Sequence, residues 1–520
     1  MMKRHVLWPV LAATLALAAC GGGSGDSPPP IQENPPPPPP AMPVIDRIEA
    51  LDTTLLKSGA AANAEPAAIS RMPAEATAAR VTLGPLVETK SATTKNGLLL
   101  IGQGRAVAAT ASTDDLAAKL RWNALSDGAQ VAAVEFSAAG ARAIRLGVLV
   151  RQLPAGAVLR FYGVGGDQVV EMSAAQVDDL RQTNEAAGLT GDAARMVWGP
   201  DTAGSVSTLE VQIPAGAAAS QVQLAVPLLS HLTQTVEQAS QPAGGGMLKF
   251  GDLSDIGASD SRNLDVMCEV PVPIETRAVT KLQFIVEGGG TALCSGTLMN
   301  DSLGSRTPYV LTASHCIPGQ TEASSLLTYW FFRSSRCNSS PLADVMLTRV
   351  TGGARLLQAE PSVDNALLQL KSQPPNQVVY AGSYFGYDTL PNPAVPNVTV
   401  PISIAPTVAV FGIHHPNGDL QKFSSGPIAN YATCGGVGPD GEMACVPSLS
   451  IEGSTDYQVN WTRGLTQPGS SGSALFVTAS GSNRHYVIGA LSAGADITSF
   501  YGRFDQAFYH GFKDWLAPNK

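Results

Sequence analysis

The placement of the cysteines constrains the fold of this chain more than any other feature of its sequence. The chain has 520 residues and 7 cysteines, and all but one of the cysteines lie in its C-terminal half. Those in the C-terminal half are Cys268, Cys294, Cys316, Cys337, Cys434 and Cys445. An even set of cysteines in an exported protein indicates disulfides, so this half is predicted to be a unit cross-linked by three of them. No two of them have the CxxC spacing typical of zinc sites, and we therefore expect no metal there.

The remaining cysteine, Cys20, ends an N-terminal targeting signal. Lys3 and Arg4 form a basic start, and the apolar stretch 6–19 is too short for a stable membrane span. The residues LAAC that end at Cys20 resemble the lipobox of bacterial lipoproteins, which implies cleavage before Cys20 and a lipid on its thiol and amino group. Residues 1–19 are thus predicted to be a lipoprotein signal peptide, and an ordinary secretory signal is the alternative.

A flexible tether follows the signal. Residues 20–44 are rich in glycine, serine and proline, a composition that gives an extended chain able to hold a globular body away from a membrane. We therefore expect a monomer in the bacterial cell envelope, anchored by lipid at Cys20 in a way compatible with the outer membrane, or released to the exterior after processing. The net charge is -9 and only 14% of the residues are charged, which argues against nucleic acid as a partner.

Residues 45–245 contain no cysteine and many short β-like runs separated by turns. The stretches 142–164 and 207–229 each read as two strands joined by a proline- and glycine-containing turn, and a helix is predicted over 173–187. This spacing predicts a β-sandwich-like domain with an inserted helix. No grouping of histidine, acidic residues or serine there indicates catalysis, so we interpret this half as an accessory domain or a pro-domain.

The boundary between the halves is predicted from composition. Residues 246–261 combine glycines and small residues with few apolar anchors, which favours a linker that is open to proteolytic processing. The second domain is therefore predicted to occupy residues 262–520.

Three segments of this second domain place a histidine, an aspartate and a serine at the edges of predicted strands. The run PYVLTASHCI presents His315, SVDNALLQL presents Asp364, and GLTQPGSSGSALF presents Ser471 between glycines. Each residue alone has an ordinary explanation, as a core histidine, an aspartate that caps a strand, or part of a Gly/Ser linker. A linker, however, has no reason to run into an apolar strand, and the three residues together fit one chemistry.

That chemistry is nucleophilic catalysis. A serine hydroxyl is a poor nucleophile until an imidazole removes its proton, and a carboxylate must hold that imidazole in the right tautomer. Ser471, His315 and Asp364 would fill these roles in turn. Glycines around Ser471 allow a tight turn in which the N–H groups of Gly469 and Ser471 converge on one oxygen, as an oxyanion hole requires.

These segments resemble the signature sequences of chymotrypsin-fold serine proteases. Further motifs make the bacterial lysyl endopeptidases the closer likeness, namely NLDVMC, YW before Cys337, FGIHHPN, LTQPGSSGS and YGR. The resemblance spans residues 256–520 and implies a double β-barrel with the catalytic site in the cleft between the barrels. The predicted fold class is therefore all-β, with a C-terminal chymotrypsin-like double β-barrel preceded by a β-sandwich-like domain.

The resemblance also implies how the cysteines pair. The family pattern gives Cys268–Cys337 and Cys294–Cys316, and the second of these would brace the loop that carries His315. Cys434 and Cys445 are then left for each other, as a pair outside the family pattern.

The same resemblance locates the pocket for the substrate residue before the cut bond. Its predicted lining is Leu465, Gln467, Ser492, Ala493, Gly494 and Ser499. Lysyl endopeptidases carry an aspartate where this chain has Ser499 and a histidine where it has Ser492. Without a buried carboxylate, burial of a lysine or arginine side chain is costly, so we expect a neutral substrate residue here. Asp496 is the alternative, because a shifted loop would turn its carboxylate into the pocket.

Two further features are interpreted as structural. His414 and His415 are adjacent, and neighbouring strand residues point to opposite faces, so a shared metal ion is not expected. Ser470 stands where trypsin-like zymogens carry the aspartate that pairs with a new N-terminus. Activation by that ion pair is therefore not expected either.

The sequence thus predicts an exported, lipid-anchored serine endopeptidase that hydrolyses peptide bonds of proteins or peptides without a metal or an organic cofactor. One alternative is a binding or adhesion lipoprotein whose protease fold no longer cuts. The other is an esterase that uses the same triad.

Overall fold

The computed structural model describes residues 46–55, 68–86, 94–95, 98–164, 169–233, 259–339, 348–386, 402, 404–437 and 443–518. The predicted signal peptide, Cys20 and the tether lie outside these residues, as does the predicted linker up to residue 258. No helix in these ranges is both long and apolar enough to cross a bilayer.

Strands dominate the described chain, as the sequence predicts. In the N-terminal half the strands are β1 Arg47–Ile48, β2 Leu51–Asp52, β3 Ala79–Leu83, β4 Thr94–Lys95, β5 Leu98–Ala106, β6 Asn123–Ala124, β7 Gln130–Ala138, β8 Ala143–Gln152, β9 Val158–Tyr162, β10 Val170–Ser173, β11 Met196–Trp198, β12 Thr202–Ala203, β13 Val206–Ile213 and β14 Gln223–Leu232. In the C-terminal half they are β15 Leu264–Asp265, β16 Val279–Ile285, β17 Thr291–Met299, β18 Tyr309–Ala313, β19 Leu327–Trp330, β20 Thr348–Val350, β21 Ala354–Glu360, β22 Asn365–Leu370, β23 Val379–Tyr380, β24 Ser383–Tyr384, β25 Ala409–His414, β26 Lys422–Val437, β27 Met443–Ser448, β28 Asp456–Asn460, β29 Ala474–Thr478, β30 His485–Ala495 and β31 Thr498–Arg503. The α-helices are α1 Thr113–Ala117, α2 Ala174–Ala186, α3 Gly191–Arg195, α4 Gln320–Ser324, α5 Phe504–Ala507 and α6 Lys513–Leu516.

The N-terminal half is a sandwich of two sheets. One sheet has the order β10-β9-β13-β7-β3, and the other runs β11-β8-β14-β5. Inward side chains of both sheets, such as Phe136 and Leu209 on the first and Leu146 and Leu224 on the second, meet in one buried core. The predicted helix is present as α2, and the reciprocal hydrogen bonds of Ser173 and Gln176 cap its first turn.

The C-terminal half contains two curved sheets. Strands β19-β16-β17-β18-β22-β21 follow one another in the first. The second closes into a six-stranded barrel, β30-β29-β25-β26-β28-β31, because β31 pairs back onto β30. Apolar residues of both sheets, including Leu311 and Phe476, share a buried core with Phe504 and Phe512 near the C-terminus. The predicted all-β fold with a double barrel is confirmed.

Strands of the N-terminal half extend the sheets of the C-terminal half. Strand β1 pairs with β24, β2 pairs with β23, and β5 pairs with β17. Buried polar groups reinforce the contact: Arg145 donates from Nη2 to the Ser325 carbonyl at 2.6 Å, and Tyr329 donates to Asp201 at 2.7 Å. Desolvation is the main reason that the pKa of Arg145 is lowered to about 10. Main-chain ladders and buried polar contacts therefore join the two halves.

The packing of β1 can be tested by shortening one side chain. Ile48 is 3% exposed and lies in a core with Phe385 and Val487. Truncation of a buried aliphatic side chain to alanine removes about 2–5 kcal/mol of stability. We expect Ile48→Ala to lower the free energy of unfolding by that amount in urea denaturation. Leu55 is 81% exposed, so the control Leu55→Ala should change it by less than about 0.5 kcal/mol. Equal effects of the two substitutions would contradict the packing of β1.

Candidate active site

His315 and Asp364 are brought together by the register of two strands. Strand β18 pairs with β22 so that Ala313 faces Asn365, which places the residues just beyond these strand ends side by side. Asp364 Oδ2 lies 2.7 Å from His315 Nδ1, and Asp364 Oδ1 accepts from the His315 backbone N–H at 2.8 Å and from Ser314 Oγ at 2.8 Å. Because a carboxylate only accepts hydrogen bonds, Nδ1 carries a proton, and Nε2 is the ring nitrogen that remains to act as a base.

Ser471 lies in a loop that packs against the strand leading to His315. The Ser295 N–H donates to the Ser471 carbonyl at 2.8 Å. Gly472 has φ 80°, and a Cβ on it would lie 2.1 Å from Thr312 Oγ1, so only glycine fits here. Within the described chain the Ser471 hydroxyl makes no hydrogen bond, and so the structure does not join Ser471 Oγ to His315 Nε2. Such bonds are often long in uncomplexed enzymes and tighten only when substrate binds.

The predicted oxyanion donors are the N–H groups of Gly469 and Ser471. Each is oriented by a hydrogen bond that the carbonyl of the same peptide group accepts. The Pro468 carbonyl accepts from the Asn417 N–H at 2.7 Å, and the Ser470 carbonyl accepts from the Ser473 N–H at 3.1 Å. In a trans peptide the N–H points opposite to the C=O, so the N–H groups of Gly469 and Ser471 turn away from these partners. Neither N–H donates to an acceptor among the residues that the structure describes. Within the described chain these two amides are therefore available as hydrogen-bond donors, as the predicted oxyanion hole requires.

Ser295 on β17 holds the same loop from the other side. Its Oγ donates to the Gly469 carbonyl at 3.0 Å and accepts from the His415 N–H at 3.1 Å. Its carbonyl accepts from Thr312 Oγ1 at 2.9 Å, and the residue is fully buried. Ser295 therefore links the strand before His315 to the loop that carries Ser471.

The structure brings the predicted pocket residues together around Ser499. Gly494 of β30 pairs with Ser499 of β31, and Ser492 and Ala493 precede Gly494 on β30. Leu465 and Gln467 flank Thr466, which pairs with Asp496 between these two strands. Ser499 is fully buried, and its Oγ accepts from Trp461 Nε1 at 2.8 Å and lies 2.7 Å from Thr466 Oγ1. The position of the family's aspartate is thus held by a neutral, hydrogen-bonded group.

A strap of residues 259–263 lies over the edge of this pocket. The Asp260 N–H and Asn263 Nδ2 both donate to Gln467 Oε1 at 2.8 Å. Arg262 pairs with Asp496 at 2.7 Å, and both side chains are more than half exposed. Asp496 therefore lies at an exposed rim in an ion pair and not in a buried pocket.

Strand β5 of the N-terminal half lies along the other side of the Ser471 loop. Leu99 pairs with Leu293 and Leu100 with Ala292 of β17. Leu99 is 6% exposed, and its Cδ2 lies 3.2 Å from the point where a Cβ on Gly469 would stand. Strand β5 thus reaches the glycine whose amide is a predicted oxyanion donor.

The predicted disulfides are all present. The pairs are Cys268–Cys337, Cys294–Cys316 and Cys434–Cys445. In the described ranges one cluster has the spacing of a metal site, formed by Cys294, His315 and Cys316, but its two sulfurs are bonded to each other and are not thiolate ligands.

Sequence reasoning missed the strap 259–263, strand β5 and the partners of Ser499. Arg262 and Leu99 belong to ordinary surface-like and strand-like stretches, and their partners Asp496 and Leu293 lie far away in the chain. No local signal marks such residues, because their role arises only from contacts made after folding.

Comparison with known proteins finds similarity to lysyl endopeptidases over both halves of the chain. The C-terminal domain of the lysyl endopeptidase family matches residues 256–510, and the N-terminal domain of the same family matches residues 72–233. A lysyl endopeptidase of Pseudomonas aeruginosa is 28% identical over 386 residues, which are 72% of this chain and 71% of that protein.

Solved structures of serine proteases are also similar. They include the active form of the Rv3671c protease from M. tuberculosis, with a TM-score of 0.30 and 15% identity over 47% of this chain and 84% of that chain. They also include the thermostable serine protease AL20 of an extremophilic microorganism, with a TM-score of 0.29 and 14% identity over 48% of this chain and 100% of that chain. Likenesses this weak support no conclusion of their own. The two domain matches span most of the chain, which therefore belongs to the chymotrypsin-fold serine endopeptidases and carries the N- and C-terminal domains of lysyl endopeptidases.

Proposed function

We propose that Ser471, His315 and Asp364 are the catalytic triad of this endopeptidase and that the amides of Gly469 and Ser471 form its oxyanion hole. The observation that carries the proposal is the hydrogen bond from His315 Nδ1 to Asp364, because it leaves the other ring nitrogen able to take a proton. The orientation of the two amides, fixed by Asn417 and Ser473, supports the second part.

These residues would perform peptide hydrolysis in two steps. Ser471 Oγ attacks the carbonyl carbon while its proton passes to His315 Nε2, and the carboxylate of Asp364 stabilises the imidazolium. The carbonyl oxygen becomes an oxyanion that accepts hydrogen bonds from Gly469 and Ser471, each worth about 3 kcal/mol in the transition state. The proton on Nε2 then moves to the leaving amine, and water hydrolyses the acyl-enzyme by the same route.

We also propose a preference for a neutral substrate residue before the cut bond. None of the six predicted pocket residues is acidic, and the hydroxyl of Ser499 is engaged by Trp461 and Thr466. A buried ammonium or guanidinium group would find no opposite charge among them, which is costly. The ion pair of Asp496 with Arg262 at the rim supports the same preference.

The N-terminal half is proposed to act as a pro-domain that keeps the cleft closed. Strand β5 occupies the edge of β17 beside Gly469, and a strand seated there competes with an extended substrate for the same main-chain hydrogen bonds. Leu99 buries its side chain against Leu293 at this place, so release of β5 requires that apolar contact to open. Cleavage in the linker would then weaken the attachment of this half.

The chain is further proposed to be anchored in the bacterial cell envelope by lipid on Cys20, and to be exposed on the envelope or released from it after processing. The lipobox-like LAAC and the tether of residues 20–44 support this location.

The blocked cleft predicts that one charged substitution activates the protein. Leu99→Asp replaces a buried leucine by a carboxylate in an apolar cluster, which should displace β5 from β17. We expect kcat/KM for a long peptide to rise at least about 10-fold over the parent chain of residues 44–520, corresponding to about 1.4 kcal/mol. Val164 is 73% exposed, so the control Val164→Asp should leave kcat/KM unchanged. A folded Leu99→Asp protein with the activity of the parent would contradict the pro-domain proposal.

The triad and the pocket can be tested on the same chain. A fluorophosphonate probe should label the parent and not Ser471→Ala, because only Ser471 is activated by His315. The control Ser482→Ala removes a hydroxyl that bonds only within its own turn and should label like the parent. A mixed peptide library, read by mass spectrometry after treatment with the Leu99→Asp chain, should be cut after neutral residues.

Other outcomes of that experiment are equally informative. Cuts after lysine or arginine would show that Asp496 reads the substrate and would overturn the neutral preference. If neither the folded parent nor the folded Leu99→Asp chain labels or cuts, the triad proposal fails and a binding lipoprotein takes its place. Cleavage of simple esters without peptides would indicate an esterase.

The lipid anchor predicts incorporation of a fatty acid analogue into the full chain during growth. Cys20→Ser should abolish the incorporation and release the protein from the membrane fraction, because the thiol that carries the lipid is lost. Fractionation with the membrane by the Cys20→Ser protein would contradict the anchor.

A further inference from the structure

The turn His414–Gly418 holds the loop that carries Ser471. His414 is fully buried, with Nδ1 2.9 Å from Ser470 Oγ and Nε2 3.0 Å from Ser424 Oγ. Three residues further along, the Asn417 N–H donates to the Pro468 carbonyl at 2.7 Å. The turn therefore touches the loop at a side chain and at the peptide group that contains the Gly469 N–H.

The hydrogen bonds around His414 allow only one arrangement of protons. Ser424 Oγ donates to the Leu465 carbonyl at 3.1 Å, so it must accept from His414 Nε2–H. His414 Nδ1 is then unprotonated and accepts from Ser470 Oγ–H. Ser470 Oγ in turn accepts from the Gln467 N–H at 3.3 Å. These hydrogen bonds are donated in one direction, from Ser470 in the loop to His414 and from His414 to Ser424 on β26, through a neutral imidazole.

Burial keeps that imidazole neutral. Desolvation is the larger reason that the pKa of His414 is lowered to about 3, and the charge of Lys422 on the paired strand lowers it further. At the pH of catalysis His414 therefore remains an acceptor for Ser470. An ion pair with His414 would instead require an acidic residue in place of Ser470.

We propose that His414 is the positioning residue of the oxyanion hole: its neutral imidazole anchors Ser470 and thereby sets the amides of Gly469 and Ser471 on either side of it. The proposal rests on the proposed function. It assigns to His414 a positioning role that requires no metal and no new N-terminus. The oxyanion hole is consequently complete in the uncut chain, and latency comes from occupation of the cleft by β5.

The test compares three substitutions in the chain of residues 44–520 by the rate of labelling with a small fluorophosphonate, whose phosphoryl oxygen binds in the oxyanion hole. His414→Leu and Ser470→Ala remove the anchor from opposite ends and should each slow labelling by about 10- to 100-fold, at most the effect of losing one donor. The double substitution should be no slower than either single one, because both break the same bond. His414→Asn puts an amide oxygen near the Nδ1 position and should stay within about threefold of the parent.

A general loss of packing is distinguished by two controls. His485 is another histidine of the same barrel, and its ring bonds Glu275 at 2.8 Å, so His485→Leu should label at the parental rate. The pH dependence of labelling should be the same in every variant, because the pKa of His414 is lowered to about 3 and its ring stays neutral over the range in which labelling is measured.

The outcomes separate this proposal from the one on which it rests. If the parent labels at Ser471 and folded Ser470→Ala labels at the parental rate, the role of His414 is refuted while the triad stands. If His414→Leu does not fold, Ser470→Ala and His414→Asn still decide the question. Absence of labelling in both the parent and the folded Leu99→Asp chain refutes both.

Discussion

The site depends on the contact between β17 and the Ser471 loop, in which Ser295 is the central residue. Its N–H, Oγ and carbonyl bond to Ser471, Gly469 and Thr312 respectively, and it is fully buried. A buried polar group that loses its partner costs about 1–3 kcal/mol, so each of these bonds favours this placement of the Ser471 loop. One residue thus aligns the strand that ends near His315 with the loop from the other barrel, and the cleft between the barrels exists where they meet.

In the proposed mechanism, two kinds of control act on this cleft through different physics. The loop that carries Ser471 is held by hydrogen bonds to the buried His414 and to the backbone N–H of Asn417, and bonds between such uncharged groups are little affected by salt. Access is limited by main-chain pairing of β5 with β17 and by burial of Leu99, which are lost when the strand leaves. The hydrogen bonds would fix the geometry of the oxyanion hole, and the pairing of β5 would decide when substrate can enter the cleft. Separate substitutions can therefore change one without the other.

The sequence predicted those parts of the site whose signal is local. His315, Asp364 and Ser471 each stand beside an apolar strand in a motif of a few residues, and Gly472 is dictated by a contact that no Cβ can make. The interpretation of His414 and His415 as structural did not reveal Ser470 as the partner of His414. The strap at Arg262 and the pairing of the strand at Leu99 were not predicted from the sequence. A leucine in a strand has the same local pattern whether that strand pairs within its own sheet or with another.

What the sequence alone determined is the inventory: an all-β chain, three disulfides confined to one half, and the residues able to perform acyl transfer. These follow from residue type and short-range spacing. The tertiary structure decided which atoms meet, including the neutral surroundings of Ser499, the direction of the Gly469 and Ser471 amides, and the seat of β5 on β17. Hydrogen bonds need partners within about 3 Å, and only folding brings groups separated by hundreds of residues to that distance.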